Sequence, residues 1–149
     1  MPRRIVVALL SAHVLVFLAL TLAYSNPATP GRIPLGRRVN PWPFASIRRD
    51  LAAGGEGLLV NLVGNVVVML PLGAAAAVLG GQGARAWHAA LAGLVLSATV
   101  ETLQMGTGRR VADVDDVILN TLGAALGFMT AAAVRRAWRR GGRGASGQS

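Results

Sequence analysis

SATVETLQMGTGRRVADVDDVILNTLGAALG, Ser97 to Gly127, carries four of the chain's six acidic residues: Glu101, Asp113, Asp115 and Asp116. Arg109 and Arg110 stand between Glu101 and the aspartates, and long apolar runs flank the whole stretch. Ionisable groups beside membrane-spanning segments are costly, so they mark a site or a structural lock. The stretch reads as a helix end, a tight turn over Gly106–Ala112 and a helix start. Ser97, Glu101 and Gln104 fall at i, i+4 and i+7 on one face of the first helix. Asp113, Asp116 and Asn120 recur at helical spacing on the second, followed by Gly123 and Gly127, a GxxxG pair suited to close helix packing.

Outward from this stretch, four apolar runs are long enough to span a bilayer: Ile5–Tyr24, Leu58–Leu79, Ala86–Met105 and Asp113–Val134. With 149 residues, 53% hydrophobic and 14% charged, the chain reads as one all-α domain, a polytopic membrane protein of four transmembrane helices. The tail from Arg135 to Ser149 ends in Gly and Ser and is expected to be disordered. Thr21-Leu22-Ala23 resembles a weak signal-peptidase site, but the apolar run before it exceeds the usual signal length, which favours an uncleaved first helix. His13, alone in mid-helix, is expected to hydrogen-bond a neighbouring helix.

The chain has no cysteine, which excludes disulfide and thiol chemistry. Its net charge of +9 comes from arginine alone. In a multi-pass protein such an excess reads as topology rather than as a nucleic-acid surface, so no nucleic-acid partner is expected. Four spans put both termini on one side. Eight arginines fall on the side of the termini and seven on the other, but Arg3 and Arg4 adjoin the start of the first helix, whereas the nearest arginine after it is Arg32, and the tail is dense in arginine; these features favour cytoplasmic termini.

Between the first two spans, Ser25–Gly57 is rich in Pro, Gly and Arg. Pro41 and Pro43 bracket Trp42 and forbid a regular helix there. Trp42 and Phe44 suit the headgroup level of a membrane; the sharper expectation is a re-entrant loop, with Asn40, Trp42 and Phe44 lidding a pocket. Ala45–Ala53 reads as a short interfacial helix. Asn61 and Asn65, four apart, should share a face of the second span, where Pro71 should introduce a kink and Gly64 and Gly73 permit close packing.

This connectivity gathers the start of the second span, the end of the third and the start of the fourth at one membrane face. Asn61, Asn65, Glu101, Gln104, Arg109, Arg110, Asp113, Asp116 and Asn120 are therefore the candidate polar pocket. At ~1.5 Å per residue, Asn65 and Asn120 lie about 10 Å inside the helix starts, so the pocket is shallow rather than a channel. With cytoplasmic termini it faces outward. Asp113 and Asp116 also suit capping of the fourth helix. No Ser/His/Asp or Cys/His set converges, no spacing fixes a metal site, and neither a catalytic residue nor a cofactor is assigned.

In order along the chain, Val39-Asn40-Pro41-Trp42-Pro43-Phe44, Asn61-Leu62-Val63-Gly64-Asn65, Pro71-Leu72-Gly73, Ser97, Glu101, Gln104, Arg110, Asp113, Asp116, Asn120, Gly123 and Gly127 resemble the VanZ-like family. The resemblance covers about residues 40–128, with Pro41 an addition to the usual loop pattern. It implies a four- or five-helix membrane protein of the bacterial cell envelope. The family's named member is linked to resistance to the glycopeptide teicoplanin, and no reaction is established for the family. The leading expectation is non-catalytic binding of an amphiphile: a membrane lipid headgroup, a lipid-linked wall precursor or a lipoglycopeptide. The alternatives are a membrane enzyme using Glu101 or Asp116 as acid or base on a lipid-linked substrate, and an assembly protein in which the polar set only ties helices together.

Overall fold

The computed structural model describes residues 2–23, 33–108 and 110–145. Helix α1 is Arg3–Ala23; α2 is Ala45–Ala52; α3 is a single turn, Glu56–Leu58, that runs through a π-helical segment, Leu59–Val63, into α4, Gly64–Leu79. Then come α5, Ala86–Thr107, and α6, Val114–Ala145. Four helical segments, Arg3–Ala23, Asn61–Leu79, Ala86–Thr107 and Val114–Arg140, are long and apolar enough to cross a membrane. The all-α, multi-span reading therefore holds.

Helices α4 and α6 pack so closely that backbone meets backbone. A β-carbon on Gly123 would lie 2.3 Å from the Val66 carbonyl oxygen, one on Gly127 2.1 Å from that of Leu70, and one on Gly73 1.9 Å from that of Ala124. In lipid, where neighbouring chains are as apolar as leucine, such small-residue contact lets van der Waals attraction hold helices together. Gly93 brings α5 to the same seam, where its β-carbon would sit 2.8 Å from that of Ala124. Gly64, expected to pack closely, has open space around it. Helix α1 is the least covered: Phe17 is its only buried residue, packed with Met69, Val100 and Ala124, and Leu9, Leu15, Val16 and Leu20 are exposed as for contact with lipid.

Hydrogen bonds tie α1 to the other helices. His13 Nε2 lies 2.8 Å from the Val68 carbonyl oxygen. A carbonyl only accepts, so this nitrogen carries the proton. Pro71 withholds an N–H from the neighbouring Val67 carbonyl, one residue before this contact. Gln104 Nε2 donates to the Thr21 carbonyl at 3.0 Å. That bond places the end of α1 beside the end of α5, and hence the start of α1 at the opposite end of the bundle.

Several element ends differ from expectation. Helix α5 runs to Thr107, because Gly108 at φ 66° closes it with its N–H on the Gln104 carbonyl. Helix α6 continues to Ala145 instead of yielding to a disordered tail at 135; no proline interrupts it, alanine and arginine are good helix formers, and Arg135 Nη1 donates to the Ala77 carbonyl at the end of α4. Residues 146–149 lie outside the described residues. The first loop holds a minimal parallel ladder, Val39 beside Ala112 and Asn40 beside Asp113. The prolines keep Val39–Phe44 out of a regular helix, which leaves its backbone free to bond another segment.

Candidate functional site

The site begins with α6's first turn. Asp113, at the N-cap, accepts the N–H of Asp115 on Oδ1 at 3.0 Å, as the sequence predicted for a capping aspartate. Its own N–H donates to Glu101 Oε2 at 2.8 Å, joining the end of α5 to the start of α6. Asn40 Nδ2 donates to both Asp113 carboxylate oxygens at 3.2 Å, and the Ser46 hydroxyl donates to Oδ2.

Asp115 was read only as one of the acids, yet it organises the first loop. The residue is 2% exposed, and its carboxylate accepts the N–H groups of Phe44, Ser46 at 2.9 Å and Ile47 at 3.4 Å. The latter two are orphan donors of α2's first turn, so a carboxylate from α6 caps a helix some seventy residues earlier. Phe44 itself sits at φ 63°, an unusual backbone for a bulky residue. A cap supplied from so far away leaves no local sequence signature.

Arg38 lies in the Arg-rich first loop. Its guanidinium donates to the Ile33 carbonyl at 2.6 Å and to that of Met105 at 3.3 Å, at the C-terminal, partly negative end of α5. The Ala112 N–H donates back to the Arg38 carbonyl at 2.7 Å. From Ile33 to Ile47 the loop is thus stitched to the α5–α6 turn and the start of α6.

Asp116, next in the chain, points elsewhere. Asn65 Nδ2 donates to its Oδ1 at 2.7 Å, and Arg110 pairs with Oδ2 at 3.8 Å. Asn120 Nδ2 donates to the buried Ser97 hydroxyl at 2.8 Å. The Oδ1 of the Asn120 amide is buried without a partner.

The expected residues therefore separate into groups. Glu101, Asp113 and Asn40 form one; Asn65, Asp116 and Arg110 a second; Asn120 pairs with Ser97. Asn61 does not share Asn65's partners: from within the π-helical segment it donates to Asp50 on α2 at 2.6 Å. Gln104 is spent on α1. Arg109 lies outside the described residues. The lid is corrected in detail: Trp42, 72% exposed, and Phe44, 55% exposed, turn outward, and the part of the loop that faces the pocket is α2, through Ser46, Ile47, Arg49 and Asp50.

Two cavities result. One, about 280 Å³ and mainly polar, lies between α2 and the start of α6 and reaches Asn61. The other, about 530 Å³ and mainly apolar, lies among α1, α4, α5 and α6, lined by His13, Val16, Phe17, Leu20 and Val68 with Asn65, Glu101 and Asn120 at its polar end. Arg110 and Asp116 line both. This apolar groove was not expected; it depends on where α1 docks, which side-chain periodicity does not report. Among the described residues no group of three or more His, Asp or Glu side chains is set to hold a metal ion.

The family model described as VanZ/LLP1 matches residues 5–135. No curated protein and no solved structure matches the chain.

Proposed function

The chain belongs to the VanZ-like family and has four helices fit to span a membrane, and from that premise we propose that it binds an amphiphile without catalysing a reaction. The observation that carries this reading is the meeting of a polar cavity and an apolar groove at one ion pair, Arg110–Asp116. An amphiphile needs such a junction. Its headgroup would lie among Asp50, Asp113, Asp116, Arg49 and Arg110, and its chain would run down the groove past Val68, Phe17 and Val16. Both signs of charge line the polar cavity, which suits a headgroup that carries both. The unpartnered half of the Asn120 amide offers one further hydrogen bond at the polar end of the groove. Glu101 is engaged by the Asp113 N–H, a positioning task that favours binding over acid–base chemistry.

In this reading the cavity faces outward, as the arginines at the start of α1 and along the end of α6 imply. Lipid headgroups, lipid-linked wall precursors and lipoglycopeptides of the teicoplanin type share the required chemistry, and resistance would follow from binding either the drug or the precursor it attacks.

Phosphatidylethanolamine with a photoreactive acyl chain tests the proposal on purified protein in mixed micelles. Cross-links should concentrate on Val16–Leu20 and around Val68. They should fall by about tenfold in Asp116→Asn, which removes one charged contact, and in Val68→Trp, which fills the groove. Thermal unfolding reports whether each variant remains folded. Cross-links spread evenly over all lipid-facing surfaces, and unchanged in both folded variants, would overturn the reading.

A further inference from the structure

The opposite end of the bundle holds a second recess. It is about 450 Å³, lies between the end of α4 and the late part of α6, and is lined by Ala77, Gly81, Phe128, Arg135, Arg136 and Arg139. An apolar recess of about 420 Å³, lined by Leu79, Gly80, Gly83 and His88, shares Ala84 and Phe128 with it. The two form one basic-rimmed, apolar-floored depression.

Its electrostatics are one-sided. The sequence has no Asp or Glu between Glu56 and Glu101, and none after Asp116, so the ends of α4, α5 and α6 that build this depression contribute no carboxylate; Glu101, Asp115 and Asp116 lie at the other end of their helices. Arg135 is committed inward: its Nη1 donates to the Ala77 carbonyl, one of the last four of α4, which lack intrahelical partners. His88 is committed as well, since its Nδ1 accepts the Arg85 N–H at 3.1 Å and its ring stacks on Trp87. Arg136 and Arg139 remain exposed on the basic wall. Helix α6 also overshoots the membrane: 32 residues span about 48 Å, against ~30 Å of hydrocarbon, so its basic segment reaches headgroup level.

From this we infer that the depression is a binding site for an anionic phospholipid of the leaflet at α6's basic end, with the phosphate on Arg136 and Arg139 and the start of an acyl chain on Phe128, Ala84 and Leu79. Guanidinium groups favour phosphate through paired N–H donors, and an apolar floor distinguishes a lipid from a free anion. The site is separate from the amphiphile pocket and does not rest on it.

Full-length protein in neutral detergent is titrated with dioleoyl phosphatidylglycerol or dioleoyl phosphatidylcholine, with binding read by native mass spectrometry and thermal stabilisation. Phosphatidylglycerol should bind in preference, and R136Q/R139Q should weaken it by roughly tenfold or more, given the attraction of each basic residue near an anionic surface. The control is R3Q/R4Q, which removes the same charge from the start of α1, at the same end of the bundle. It should leave the preference intact. Equal losses in the two double variants would mean diffuse surface charge and overturn the site. Glycerol 3-phosphate should not displace the lipid at equal concentration; displacement by it, or an unchanged preference in R136Q/R139Q, would also overturn the proposal.

Discussion

Asp115 and Asp116 are neighbours with different tasks. Asp115 is buried and accepts three backbone N–H groups of the first loop, so its removal strands α2's first-turn donors. Asp115→Ala should lower stability by about 2–4 kcal/mol, read from thermal or denaturant unfolding in detergent. Asp116 has one amide donor and one ion pair, at a cavity edge. Its loss should reduce ligand binding more than stability. Glu101→Gln is the sharper test of the third reading, bundle glue. Glutamine retains an oxygen to accept the Asp113 N–H, so unfolding should shift by less than about 1 kcal/mol, while the charge is lost. Lost binding of the photoreactive lipid in a stable Glu101→Gln protein would exclude a purely structural role; intact binding would remove the Glu101 charge from the ligand site. The residue types at this site were legible, because charge beside apolar runs is conspicuous. Their partners were not, because Asp115 meets Ser46 and Asn61 meets Asp50 only after folding.

At the scale of elements, the α4–α6 seam is the part with least room. Gly127→Val would drive a β-carbon into the Leu70 carbonyl and should cost about 1–3 kcal/mol or more by overpacking. Gly64→Ala, in the first turn of α4, meets open space and should be neutral or stabilising by about 0.5–1 kcal/mol through helix propensity. The contrast, measured by unfolding of the two single variants, separates a packing glycine from a permissive one. The GxxxG spacing announced Gly123 and Gly127 correctly, since 3.6 residues per turn fixes which residues share a face. The same expectation fails at Gly64, which meets open space, because a face has meaning only once something packs on it. Asn61 and Asn65 show the limit of the same rule: spacing says which residues lie near one face, not that Asn61 meets Asp50 while Asn65 meets Asp116.

For the whole molecule, the two ends differ in character. All six acidic residues sit in or near the end that holds the α5–α6 turn, where the first-loop arginines accompany them, whereas Arg3, Arg4, Arg85 and the α6 arginines belong to the other end without any carboxylate. The positive-inside rule then predicts the carboxylate end outside. The absence of native cysteine permits a direct measurement. Gly106→Cys, at a position open around its β-carbon, should label in intact cells with an impermeant thiol reagent, and Arg140→Cys should not. The reverse pattern would turn the pocket to the cytoplasm and leave the drug-facing reading without a route to its ligand.

Sequence alone determined that this chain is a helical membrane protein, that its polar residues gather at one end, and which glycines face a neighbour on α6. Each of these follows from composition, run length or helical period, quantities that a linear chain states directly. Tertiary structure decided the rest. It set Asp115 as a remote cap, spent Gln104 on α1, sent Trp42 and Phe44 outward and made α2 the pocket wall. It also opened an apolar groove against α1 that joins the polar cavity at Arg110 and Asp116. These depend on how helices dock and on which distant backbone donors lack partners. Hydrogen bonds between residues seventy positions apart carry no period, so only the folded arrangement fixes them.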